Sequence, residues 1–335
     1  MRILVIGAGV IGSFNAARLA EGGQDVTLLA RGRRLAELRE HGVVLENART
    51  GQRTTTRVPL VERISPEDRY DLAVVVVRRN QIPSVLPMLT QAKGIASVLF
   101  LGNNAAGPQE MIDALGRDRV LIGVVNAGGE RRGHVVRYLW WRSLPLQISE
   151  LDGQPSPRTA AIISAFRRAG LPARMNPRLD AFLKTHAAGL PGFAGALYRA
   201  GGSIHALAHR PDLLRLFVES MRESMRALLV LGVPLTPPSI RLVLWLPIPL
   251  LVSGLRLFFD TKLAEVGGER HANAAVDEMK EIADEIRDLF RQSGVDAPAS
   301  AELFASVDAQ AQRSNTPMTP GGTRGCKAAS RMRAP

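Results

Sequence analysis

One residue in 335 is a cysteine, Cys326. A lone thiol closes no internal disulfide, and without a cysteine cluster neither a structural zinc site nor an iron–sulfur centre is assembled. A reduced, cytoplasmic setting and no metal are therefore expected. Aromatic residues are also scarce, at 5%, so basic side chains are not interleaved with the stacking rings that nucleic-acid surfaces use. Acids are fewer than bases, 31 against 43, for a net charge of +12. That surplus is spread along the chain. Arg313, Arg324, Lys327, Arg331 and Arg333 follow Ala309 with no acid among them, and elsewhere no basic face stands out. No nucleic-acid partner is expected.

Uninterrupted apolar runs are missing too. The most lipid-like stretch, Leu242 to Phe259, is broken by Pro247, Pro249 and Arg256 and preceded by Arg241, whereas a spanning helix needs about 20 apolar residues in a row. It reads as a buried or interface segment, with no membrane partner. Near the start, Gly7, Gly9 and Gly12 interrupt the apolar run and no small-residue cleavage site follows, so a signal peptide is not expected.

What is present is globular: 46% hydrophobic and 22% charged residues, over a length that suggests two domains. Ile3–Ile6, Val26–Leu29, Leu72–Val77, Val98–Leu101 and Val120–Val125 are short aliphatic runs separated by amphipathic stretches. That rhythm predicts a doubly wound α/β domain with a mostly parallel sheet. From Gly133 to Glu150, alternation around Tyr138, Trp140 and Trp141 predicts antiparallel strands extending the same sheet. Past Asn176-Pro177 the strand runs stop. Leu179, Phe182, Leu183, His186 and Leu190 recur at helical spacing, which predicts an all-α second domain. The expected division is 1–176, 177–310 and a disordered basic tail, 311–335.

Gly7-Ala8-Gly9-Val10-Ile11-Gly12 follows the first apolar run and opens a helix from Val10 to Ala20. In such a G-x-G-x-x-G the first glycine permits the tight turn and the second lets the backbone approach a pyrophosphate. The third lets helix pack on strand, while the helix N-terminus offers N–H donors to the anion. About twenty residues on, where an NAD site usually carries an acid, the chain has Arg31-Gly32-Arg33-Arg34. A guanidinium at Arg31 can pair a 2′-phosphate, so NADP(H) is the expected cofactor. The bland alternative is a solvated basic helix start, and for Arg34 it is the favoured one.

With these residues in place the chain resembles the ketopantoate reductase (2-dehydropantoate 2-reductase) family. Asp71 to Gln81 resembles the family's strand that ends in a basic residue near the cofactor, with a glutamine three positions on, at Arg78 and Gln81. Leu99 to Asn104 resembles the strand leading to an asparagine-glycine pair beside the nicotinamide; Asn104 fits the asparagine, and Ala105 stands for the glycine. Gln147 to Gly153 and Gly294 to Pro298 resemble two further family motifs.

The resemblance implies a Rossmann domain followed by a helical domain like that of 6-phosphogluconate dehydrogenase, which binds substrate and can pair two copies as a homodimer. It implies NADPH-dependent reduction of a 2-keto group, Lys184 as proton donor and Glu278 as ligand of a substrate hydroxyl. His271, which shares a helical face with Glu278, and Asn273 are further substrate candidates, read from the residues and not from the family. Read without the family, Lys184 is an ordinary helical lysine on a face of small residues, Ala181, Ala188, Gly192 and Gly195, which admits another helix or a ligand. His271 and Glu278 equally suit an internal polar pair.

The departures fall in the second half. Asparagines expected four and eight residues after the lysine are Ala188 and Gly192, a third is Gly202, and a carboxylate-binding serine has no clear place near Val266 to Glu269. The expected function is an NADPH-dependent reductase of the keto group of a 2-keto acid or related carbonyl compound, with ketopantoate a poor substrate and a bulkier, less polar one preferred. The alternative is a non-catalytic NADP(H) sensor that binds a partner.

Overall fold

The computed structural model describes residues 1–315 apart from 126, 141–142, 262–263 and 265–267. The first half supplies the strands β1 (Arg2–Ile6), β2 (Asp25–Leu29), β3 (Val43–Asn47), β4 (Arg53–Thr56), β5 (Leu60–Val61), β6 (Tyr70–Val75), β7 (Ile95–Leu101), β8 (Val120–Val124), β9 (Ala127–Arg132), β10 (Val135–Trp140), β11 (Leu146–Ser149) and β12 (Ala173–Met175). Its helices are α1 (Val10–Glu21), α2 (Gly32–His41), α3 (Ile82–Gln91), α4 (Gln109–Leu115) and α5 (Pro157–Arg168). Eight strands form one sheet in the order β12-β11-β8-β7-β6-β1-β2-β5. Its neighbours run parallel except β11 against β8. The central strands are aliphatic on both faces because both are covered. Ile3, Val5, Leu72 and Leu99 share a core with α1 and α5, while Leu4, Ile6, Ala73 and Val98 face α3 and α4.

The expected extension of this sheet by Gly133–Glu150 is only partly right. β11 joins it, but β10 pairs with β9 and β3 in a separate four-stranded sheet, β4-β3-β10-β9; Trp141 lies outside the described residues. The cause sits in α1, whose buried residues Gly12 to Ala17 and Leu19 leave almost no polar face. A helix apolar nearly all round needs cover on both sides. The large sheet supplies one, and the small sheet supplies the other by setting Tyr138 and Trp140 against Phe14, with ring centroids 4.8 and 6.0 Å away.

Beyond β12 the described elements are helical: α6 (Leu179–Arg199), α7 (Ile204–Ala208), α8 (Pro211–Val230), α9 (Leu242–Trp245), α10 (Ile248–Phe259), α11 (Arg270–Ala274), α12 (Val276–Ser293) and α13 (Pro298–Asn315). α6 is the central helix, and its small residues serve helix packing. A Cβ on Gly192 would lie 2.7 Å from Ser220 Oγ on α8, and one on Gly195 2.2 Å from the Leu303 carbonyl on α13. Ala188 is 1% exposed. Neighbouring helices therefore fill this face.

One expectation is corrected at the end of the chain. α13 continues to Asn315, past the expected start of the tail, because Leu303, Phe304, Val307 and Ala311 form a buried stripe at helical spacing. The Glu223 carboxylate also accepts from the Ala299 and Ser300 N–H groups at its start, at 3.0 and 2.7 Å, satisfying donors that a helix otherwise leaves open. Residues 316–335, with Cys326, lie outside the described residues. Of the 242–259 segment, Phe259 is buried, while Trp245 is 82% and Leu257 76% exposed.

Candidate active site

The strand order puts β7, β6, β1 and β2 side by side and parallel, so the loops after them share one edge of the sheet. This brings together the glycine loop after β1, Arg31 after β2, Arg78 and Gln81 after β6, and Asn104 after β7. Such an edge is where open α/β sheets bind ligands.

The glycine loop is fixed by sterics. Gly7 has φ +108°, and a Cβ on it would lie 2.3 Å from the Val76 carbonyl oxygen; one on Gly12 would lie 1.7 Å from the Gly7 carbonyl oxygen. Around Gly9 a Cβ would meet nothing within 4 Å. The first and third glycines are thus required by the fold, while the second borders open space at the start of α1, where a pyrophosphate would fit against Ala8, Val10 and Ile11.

Arg34 is buried rather than solvated. Its Nε donates to the Ala8 carbonyl at 3.1 Å, its Nη2 to Ser13 Oγ at 3.2 Å and its Nη1 to the His134 carbonyl at 3.3 Å. It braces the glycine loop against the small sheet. The sequence contained a signal: Arg34 stands one position before Leu35 and four before Leu38, on the buried side of α2. Arg31 differs. It is exposed, its Nη2 lies 3.5 Å from Met88 Sδ, and no carboxylate among the described residues pairs with it. A 2′-phosphate fits a guanidinium in that state.

Across the cleft stands the first turn of α12. Arg78 donates to Asp277 Oδ1 at 2.7 Å and to the Ala274 carbonyl at 2.5 Å, and Asn80 donates to Asp277 Oδ2 at 3.0 Å. Burial alone would raise the Asp277 carboxyl; the Asn80 amide and the Arg78 guanidinium outweigh it and hold the group below the ordinary carboxylate range. Gln81 accepts from the Arg78 N–H at 3.2 Å. Asn104 is buried and closes its own loop, donating to the Gly107 carbonyl and accepting from the Gly107 N–H, both at 2.8 Å. Its neighbour Asn103, not singled out from the sequence, faces the second half and donates to Glu278 Oε1 at 3.3 Å.

Lys184 is placed by its neighbours. Leu179 and Leu183 bury against Ile122 of β8, which turns the next residue toward the loop after β7. The Lys184 Nζ donates to Asp180 Oδ2 at 2.7 Å and is 3.3 Å from where a Cβ on Gly107 would stand. Its side chain is 18% exposed. Glu278, 4% exposed, also accepts from the Arg79 N–H at 3.4 Å. Lys184 and Glu278 thus meet opposite ends of one loop, Asn103–Gly107. Asn273 is elsewhere engaged, donating to the Gly202 carbonyl at 2.8 Å, and the His271 side chain lies outside the described residues. Among the described residues no group of three or more His, Cys, Asp or Glu side chains is placed to hold a metal, and no helix is long and apolar enough to cross a membrane.

The fold is a Rossmann-type sheet, with the glycine turn at its ligand-binding edge, followed by a helical second half. Residues 3–149 match the family model described as ketopantoate reductase PanE/ApbA. That match covers the strand-rich first half, which is similar to the ketopantoate reductase family. It is 27% identical over 132 residues to the 2-dehydropantoate 2-reductase of Pyrococcus horikoshii, a match covering 38% of this chain and 40% of that protein. Similarity in fold runs further. A putative ketopantoate reductase structure from Ralstonia solanacearum MolK2 superimposes with a TM-score of 0.78 at 21% identity, over 93% of this chain and 98% of the other. D-mandelate dehydrogenase in ternary complex with NADH and anilino(oxo)acetate gives 0.75 at 18% identity, over 93% and 99%.

Proposed function

We propose that the chain is an NADPH-dependent reductase of a 2-keto acid or related carbonyl compound, with Lys184 as proton donor. One observation carries the reading: a mostly buried lysine of the helical half abuts the loop at the same sheet edge that holds the glycine turn and Arg31, which no described carboxylate pairs. On this reading residues 1–176 bind the cofactor, and the helical residues 177–310 complete the substrate site and pair two copies.

The residues present suit the cofactor. The space beside Gly9 takes the pyrophosphate on the α1 N–H groups, and Arg31 takes the 2′-phosphate, which an acid there would repel. When bound, NADPH supplies the hydride. Lys184 delivers the proton to the carbonyl oxygen, and Asp180 holds its ammonium toward the cleft. A positioned proton donor of this kind contributes roughly 100- to 10,000-fold.

Ketopantoate itself is not the preferred substrate. Glu278, which the family resemblance assigns to a substrate hydroxyl, has one carboxylate oxygen shared by the Arg79 N–H and the Asn103 amide. The absent asparagines leave no amides at Ala188 and Gly192, and α8 fills the space beside Gly192. A 2-keto acid without that hydroxyl requires none of these partners, and the similar fold of D-mandelate dehydrogenase with bound anilino(oxo)acetate supports this class. The test is to follow NADPH absorbance with the full chain against a panel of 2-keto acids. Consumption supports the reading. Binding of NADPH with no consumption would favour a cofactor-sensing protein instead.

A further inference from the structure

Arg79 and Glu285 are an ion pair whose side chains are each 7% exposed, joined through Arg79 Nε and Glu285 Oε1. Arg79 follows β6; Glu285 lies on α12, seven residues after Glu278 and therefore on the same helical face. The second carboxylate oxygen of Glu285 accepts from two successive backbone N–H groups, Ala105 at 2.8 Å and Ala106 at 3.1 Å. On its other side the Arg79 guanidinium meets Glu110 of α4, with Nη1 3.1 Å from Oε2.

A buried ion pair is a poor source of stability, since desolvating the charges roughly cancels their attraction and an apolar pair often does as well. Placement is what this pair supplies. Its carboxylate reaches from the helical half into the loop Asn103–Gly107, the loop that carries Asn103 toward Glu278 at one end and abuts Lys184 at the other. Ala105 occupies the position where the family resemblance expects a glycine, and its N–H is one of the two donors that Glu285 holds. Nothing in the proposed hydride or proton transfer uses either charge.

We propose that Glu285 is a positioning residue for the nicotinamide end of the cleft: it fixes the backbone at Ala105 and Ala106, and Arg79 fixes Glu285. This rests on the reading of the sheet edge as an NADPH site. Because the anchor lies on α12, the loop takes its working position only when the helical half is seated against the sheet edge.

The experiment compares the full-length wild type with Glu285→Gln and with Arg79→Met/Glu285→Leu, which leaves no unpaired buried charge and so keeps the fold testable. Two ligands are titrated, NADPH and 2′,5′-ADP, which has the phosphates of the adenosine half and no nicotinamide. Amide hydrogen exchange is followed at Ala105 and Ala106. Loss of the anchor is expected to weaken NADPH roughly tenfold, leave 2′,5′-ADP unchanged and speed exchange at the two amides at least about tenfold. Folded variants with the wild-type ratio of the two affinities and wild-type exchange would overturn the proposal. If the wild type binds neither nucleotide, the cofactor reading falls, and exchange alone decides: faster at Ala105 and Ala106 in the variants upholds the anchor, unchanged removes it.

Discussion

The two walls of the cleft are built by different physics. On the sheet side the shape is a backbone matter: a Cβ at Gly7 or Gly12 would collide with a carbonyl oxygen, and the turn exists because those side chains are missing. On the helical side the shape depends on side chains that reach across from α12, with Asp277 on Arg78 and Asn80, Glu278 on Arg79 and Asn103, and Glu285 on Arg79 and the loop amides. A backbone-built wall tolerates little change in sequence. A wall of paired side chains can be rebuilt one contact at a time, which fits a chain that keeps its glycine loop and departs from the family pattern around Lys184.

The largest expected effect separates chemistry from binding. Lys184→Ala should lose roughly 100- to 10,000-fold in turnover on an accepted 2-keto acid, with NADPH affinity retained. Equal turnover in the variant would remove Lys184 from the mechanism.

Within the backbone-built wall, two glycines should respond in opposite ways. Gly12→Ala forces a Cβ against the Gly7 carbonyl oxygen, backbone against backbone, and should destabilise the protein by about 3 kcal/mol or more. Gly9→Ala meets no protein atom. It should leave the melting temperature of the free protein unchanged and weaken NADPH roughly tenfold or more by blocking approach of the pyrophosphate. Melting curves and NADPH titrations of both variants check this, and a destabilised Gly9→Ala would break the distinction.

Arg31→Ala should cost NADPH roughly 10- to 150-fold in affinity, the worth of a charged hydrogen bond, and leave NADH nearly untouched. Equal losses for the two cofactors would assign Arg31 to the solvated helix start instead.

The smallest effect belongs to the other wall. The Asp277 carboxyl is held below its ordinary range in the folded protein, so its pairing with Arg78 and Asn80 contributes stability above the unfolded value of about pH 4 and loses it as pH falls through the depressed value. Asp277 is 41% exposed in its side chain, and screening keeps the gain small. The stability difference between wild type and Asp277→Asn should therefore shrink on acidification below about pH 4, as followed by urea unfolding, and a difference that grows there would reverse the sign of the argument.

What the sequence disclosed follows the same division. The strand rhythm, the glycine turn and the change to helical spacing after Asn176 are local patterns, and local sterics dictate them. Asn103, Arg79 and Glu285 gain their roles only from contacts between residues 175 to 206 positions apart, and no spacing rule reaches that far. The small residues Ala188, Gly192 and Gly195 were legible as a face admitting close approach but not as to what approaches, because a helix and a ligand make the same demand. Two misreadings had signals in plain view: apart from Arg18 and Glu21 near its end, α1 has little polar surface to leave uncovered by a second sheet, and Ala311 continues a stripe begun at Leu303.

The most direct test of a retained cofactor wall and an altered substrate wall is kcat/KM with NADPH for ketopantoate, set beside the best 2-keto acid lacking its hydroxyl. Each substrate hydroxyl or carboxylate left without a protein partner costs about 1 to 3 kcal/mol. The expected result is a ketopantoate value below ~10⁴ M⁻¹s⁻¹ and at least roughly tenfold under the other substrate. A ketopantoate value at or above ~10⁴ M⁻¹s⁻¹ that exceeds every other 2-keto acid would show that the helical wall still serves the family's own substrate.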